Sequence, residues 1–173
     1  AVGKCEGGLR VGAGRGATGK RCCAGGAEPE SGTTVRSETR AAAITAAGDG
    51  ATFTLGKGAA ESVTIEKGKN ITLDLNGQTL KNKEGSHTIT NYGTLTIEAS
   101  SENGTVDNES HGRGALVNYG MATLSGGTFT RSKEAGESPS DNGGNSWYVI
   151  DNNCGTLTIQ DGVTVKANGH FSS

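Results

Sequence analysis

Asn91-Tyr92-Gly93-Thr94-Leu95-Thr96-Ile97 returns twice along the chain, as Asn118-Tyr119-Gly120-Met121-Ala122-Thr123-Leu124 and as Asn153-Cys154-Gly155-Thr156-Leu157-Thr158-Ile159. Each copy joins an Asn-x-Gly bend to a short strand of alternating polarity. Before each bend stands another β-prone pair, Thr88-Ile89, Leu116-Val117 or Val149-Ile150. After each strand comes a third piece, Thr105-Val106, Thr128-Phe129 or Val163-Thr164-Val165. An earlier copy reads Val63-Thr64-Ile65, then Ile71 to Leu75, then Thr79-Leu80, and Thr52 to Leu55 belong to the turn before it. The chain therefore winds about four times with three short strands per turn, at a spacing of roughly 23 to 35 residues, the range of solenoids and propellers.

A coil is favoured over a propeller on physical grounds. Strands of a few residues bury no face alone, but stacking each on its equivalent one turn on, about 4.8 Å away, satisfies the backbone and lines a narrow interior. Alternation predicts that Leu95 and Ile97 point inward between Leu73 and Leu75 on one side and Leu157 and Ile159 on the other. Thr94, Thr96, Thr156 and Thr158 then face solvent. Asn91, Asn118 and Asn153 are expected to stack as a side-chain ladder at one corner. Asn70, Asn76 and the bend glycines are expected to supply positive-φ turn conformations.

Composition agrees with a thin, repetitive core. With 30 glycines, 4% aromatics and 32% hydrophobic residues in 173, the chain is too polar for a sandwich or bundle. Its periodic β-branched positions speak against disorder. A formal charge of -2 and the lack of a basic stripe argue against nucleic-acid binding. No apolar run approaches the roughly 20 residues that span a bilayer, so no membrane insertion is expected. Cys5, Cys22, Cys23 and Cys154 form neither a disulfide framework nor a zinc spacing, and their redox state stays open.

Residues 1–34 are glycine-rich without sustained period and are expected to hold little stable structure. Gly12-Ala13-Gly14-Arg15-Gly16 follows no strand and reads as a glycine tract, not a dinucleotide loop. Residues 35–48 carry an N-cap candidate, Ser37, an Ala-rich body and a Gly48 stop, predicting a short helix that lids the coil. Residues 49–173 form the coil itself. Its last turn carries no amphipathic cap, so a truncated coil with an open edge is expected, with further repeats or domains of a longer parent chain beyond it.

Asn70-Ile71-Thr72-Leu73-Asp74-Leu75-Asn76-Gly77-Gln78-Thr79-Leu80, with the recurring Asn-x-Gly-Thr-Leu-Thr-Ile, resembles the pectate-lyase-like β-helix superfamily. The likeness is greatest to repeats in large surface proteins of gut bacteria, and it covers roughly Ala42 to Ser173. It implies an all-β, right-handed parallel β-helix of about four three-strand turns with a short N-terminal capping helix, at the cell surface or secreted. That superfamily holds lyases, hydrolases, phage tail spikes and adhesins, so the resemblance speaks for fold more than for function. No catalytic motif of the superfamily maps onto this chain.

Variable loops carry function on a solenoid. Here they are Lys81 to His87, Asp107 to Gly114, and the long Arg131 to Ser146 insertion leading to Trp147, the only tryptophan. Asp107, Glu109, His111, Arg113, Asp141, Trp147 and Tyr148 together compose a candidate glycan surface, with aromatic stacking beside directional hydrogen bonds. The plainer reading is that Trp147 and Tyr148 cover the insertion or open a strand. A catalytic version would set Asp107, Glu109 or Asp141 as acid and base, or place Ca²⁺ on acidic residues beside Arg113. It lacks duplicated carboxylates on neighbouring strands. Threonine-array ice binding fails because Met121-Ala122 breaks the stripe. No cofactor is expected, Ca²⁺ being the one ion for which the loop offers donors. The reading is a non-catalytic spacer or adhesin module of a bacterial cell-surface or secreted protein, contacting glycans or a host surface. Its rival is a fragment of a β-helical polysaccharide lyase or glycoside hydrolase.

Overall fold

The computed structural model describes residues 40–101, 103–110, 112–132 and 148–167, with the backbone of Glu28–Pro29. A two-residue strand, β1 (Glu28–Pro29), precedes a short helix, α1 (Arg40–Ala46). The first turn holds β2 (Ala51–Thr54), β3 (Ala59–Ala60) and β4 (Val63–Ile65). The second holds β5 (Asn70–Asp74), β6 (Thr79–Asn82) and β7 (Ile89–Asn91). The third comprises β8 (Thr94–Glu98), β9 (Thr105–Asn108) and β10 (Leu116–Asn118). The fourth comprises β11 (Met121–Leu124), β12 (Gly127–Arg131) and β13 (Ile150–Asn152). Then follow β14 (Thr156–Ile159) and β15 (Val163–Ala167).

Each strand pairs with its equivalents one turn away. The first sheet runs β1-β2-β5-β8-β11-β14, the second β3-β6-β9-β12-β15 and the third β4-β7-β10-β13. Every pairing is parallel except β1 with β2. Three parallel sheets of short stacked strands are the arrangement of a parallel β-helix.

Register fixes the interior. Phe53, Leu73, Ile97, Leu124 and Ile159 form one inward column, and Ile71, Leu95, Ala122 and Leu157 another. Leu95 thus rests on Ile71, and Ile97 on Leu73, two residues earlier than the predicted Leu73 and Leu75. A two-residue slip keeps every side chain on its face, so the inward assignment survives while the partners change. Outside, Thr52, Thr72, Thr96, Thr123 and Thr158 align in one column. On the last turn Ile159 and Val165 remain 50% and 49% exposed.

At the other end α1 lies against β4, with Ala43, Ile44 and Ala47 buried in the core. Lys69 Nζ donates to Ala47 O (2.7 Å), satisfying a carbonyl at the helix C-terminal end where a cation also suits the dipole. Glu61 Oε2 accepts from Ala41 N (3.1 Å) near the other end. The helix ends at Ala46, two residues before the expected Gly48, and residues 30–39 lie outside the described residues. β1 falls inside the stretch expected to lack structure. Pairing with the free edge of β2 asks only for backbone groups, so no side-chain pattern announces it.

The bend glycines work differently from the expectation. Positive φ occurs at Asn76 (46°), Gly77 (71°) and Cys154 (61°), but not at Asn70, Gly93, Gly120 or Gly155. What requires glycine there is the closeness of adjacent turns. A Cβ on Gly93 would lie 2.5 Å from Glu66 O, one on Gly155 2.5 Å from Asn118 Nδ2, and one on Gly120 would collide with Gly93 O.

Candidate functional site

The connections from the second sheet to the third form one corner, where the candidate glycan residues were expected. Asp107, at the end of β9, is buried; its carboxylate accepts from Ser132 N (2.9 Å) and Ser132 Oγ (2.5 Å). Its backbone O accepts from Thr88 Oγ1 (2.6 Å). Asp74 does the same one sheet away, accepting from Ser100 N, Ser100 Oγ and Asn76 N. An Asp at a strand end that ties down the serine after the equivalent strand one turn on is a device that this coil uses twice. Glu109 forms an ion pair with Lys81 (3.0 Å). Arg113 donates through Nε to Gly85 O (2.8 Å) and through Nη1 to Gly112 O (3.1 Å). Tyr148 is 64% exposed, and its carbonyl lies close against Gly114. His111, Asp141 and Trp147 lie outside the described residues.

Sequence reasoning passed over His87, which sits at this corner. Its Nδ1 accepts from Gly114 N (2.9 Å). Burial holds its pKa below the ordinary 6.5, and the neighbouring Arg113 pushes it the same way. Arg131 adds to that push and Asp151 opposes it. The corner also contains a second asparagine pair. Asn82 and Asn108 stand in register, and both donate through Nδ2 to Ser86 O (2.8 and 2.9 Å). The signal was legible in Thr-Leu-Lys-Asn and Thr-Val-Asp-Asn, where Asn closes the equivalent strand of successive turns.

The expected ladder differs at its last member. Asn91 Nδ2 donates to Asn118 Oδ1, and Asn118 Nδ2 to Asn152 Oδ1, both at 2.7 Å. Asn152, not Asn153, is in register with Asn118. The third bend is one residue longer, and Cys154 absorbs the extra residue at positive φ. Aligning the sequence on Asn-x-Gly therefore places the ladder one position late. Cys154 itself is a free, exposed thiol; the other three cysteines lie outside the described residues.

At the ladder's corner, one residue beyond Asn91 and Asn118, Tyr92 and Tyr119 stack. Their centroids are 5.0 Å apart and their planes 9° from parallel. Both are exposed, at 46% and 43%.

Among the described residues no group of three or more His, Cys, Asp or Glu could hold a metal ion. No helix there is long and apolar enough to cross a membrane. Fold and corners together define an all-β protein of three parallel sheets with buried polar ladders at its corners. Compared with protein-family models, with curated proteins and with solved structures, the chain matches none.

Proposed function

We propose that the chain is a non-catalytic module of a bacterial cell-surface or secreted protein: a right-handed, pectate-lyase-like parallel β-helix that serves as a spacer or adhesin and contacts glycans. Right-handed winding follows from the strong preference of parallel crossover connections. The observation that carries the reading is the engagement of the polar groups that catalysis would need. Asp107 is buried against Ser132, Glu109 is paired with Lys81, and Arg113 is bonded to two backbone carbonyls. A general acid or base must reach its substrate within hydrogen-bond distance, and groups spent on the coil's own loops are poorly placed for that. Glycan contact is proposed on the loop side, around Tyr148 with Trp147, His111 and Asp141.

The test is a glycan-array binding assay on the full chain, with and without Ca²⁺, followed by a search for oligosaccharide release from each hit. Binding without release is the expected result. Release that disappears in Asp107→Ala or Arg113→Ala would replace this reading with a carbohydrate-active enzyme.

A further inference from the structure

Two tyrosines from consecutive turns share one outer corner, and neither is covered. We propose that this corner and the adjoining outer face of the first sheet bind a neutral, linear glycan lying along the coil axis. The proposal rests on the glycan-contact reading above and moves the principal contact to a different corner.

Asn91 and Asn118 are in register, so Tyr92 and Tyr119 repeat at the spacing of the turns. Their 5.0 Å separation exceeds the thickness of an aromatic ring, about 3.5 Å, so rings in contact are offset like shingles. Met121 follows at 57% exposure, extending the apolar strip. Four residues beyond each tyrosine stand Thr96 and Thr123, members of the outward threonine column. A pyranose presents an apolar C–H face and a rim of hydroxyls. Aromatic faces accommodate the first, and threonine hydroxyls, able to donate and accept, serve the second. A ligand repeating along the axis meets both at each turn. Tyr92, Thr94, Thr96, Tyr119, Met121 and Thr123 include no charge at neutral pH, so the strip favours neutral sugars over uronates or sulfated chains. Glu66, Lys67 and Lys69 stand on the equivalent bend one turn earlier and Glu98 two residues beyond Thr96, two acids offsetting two bases, while Arg113 and Arg131 lie at the loop corner.

Affinity electrophoresis of the full chain through gels containing xylan, mannan or hydroxyethylcellulose tests this, with polygalacturonate as the acidic probe. A neutral polysaccharide is expected to retard the wild type. Tyr92→Ala and Tyr119→Ala should each weaken retention about tenfold, while Tyr92→Phe stays near wild type. Undiminished retention of the Tyr92→Ala, Tyr119→Ala double variant overturns the proposal. So does loss confined to Tyr148→Ala, or retardation by polygalacturonate alone, though each of these leaves glycan contact at the loop corner standing. No retardation by any probe overturns both. Should the alanine variants fail to fold by circular dichroism, Thr96→Val with Thr123→Val decides: weaker retention supports the strip and unchanged retention overturns it.

Discussion

Asn118 is fully buried and joins three turns. Its Oδ1 accepts from Asn91, and its Nδ2 donates to Asn152 Oδ1 and to Thr156 O (3.0 Å). Alanine there removes those bonds and strands their partners away from water, so Asn118→Ala is expected to cost about 2 to 4 kcal/mol in thermal or denaturant unfolding. A loss below about 0.5 kcal/mol would mean the ladder adds nothing to stability. His87 makes a pH prediction. Its pKa is lowered in the folded chain, first by burial and then by Arg113. The unfolded chain therefore takes up the proton first as pH falls. The stability contributed by neutral His87 is fully present above about 6.5 and is lost progressively below it. Protonation at Nδ1 would also end its acceptance from Gly114 N. Melting temperature should fall between pH 7 and 5 by more in the wild type than in His87→Asn, and equal slopes would refute the assignment. At this scale the sequence was legible where a residue's role repeats. Asn91 and Asn118 were foreseen because the motif shows them twice. Tyr92 and Tyr119 stood inside the same motif, yet their pairing arises between residues 27 apart and shows only once register is known.

The short helix α1 shows how an element can be legible in kind and illegible in extent. Residues 35–48 read as helix from an N-cap candidate, an Ala-rich body and a glycine stop, and among the described residues the helix runs over Arg40–Ala46. Its stability comes less from propensity than from Ile44, 2% exposed against the first turn. Ile44→Ala is expected to cost about 2 to 5 kcal/mol in chemical denaturation, more than its place on a terminal element suggests. An effect under about 1 kcal/mol would show that α1 sits on the coil without sealing it. β3 escaped the sequence reading altogether. Ala59-Ala60 carries no β signal, and the strand exists because the backbone of Leu80-Lys81 one turn on pairs with it. The loop corner was legible as a cluster of polar residues, but not in what those residues do. Asp107 reads as a candidate acid until its partner Ser132, 25 residues on, is placed beside it.

On the scale of the whole molecule the repeat decided the fold class, because strands this short have no stable arrangement except on one another. Parallel pairing followed, and face assignment followed from alternation even where partners slipped by two residues. Turn length was legible only roughly. Equivalent first-sheet positions recur after 20 residues (Ala51 to Ile71), then 24 (Asn70 to Thr94), then 27 (Thr94 to Met121) and 35 (Met121 to Thr156). That unevenness gives the coil a mechanical signature. Each turn is gripped only by its neighbours, so a steady pull on the chain ends should strip turns singly instead of rupturing the whole rod. At about 3.4 Å per residue, the freed lengths would be roughly 70, 80, 90 and 120 Å. An optical-tweezers trace of four unequal steps would read the turn lengths off as a ruler, and the order of the steps would tell from which end the rod unravels.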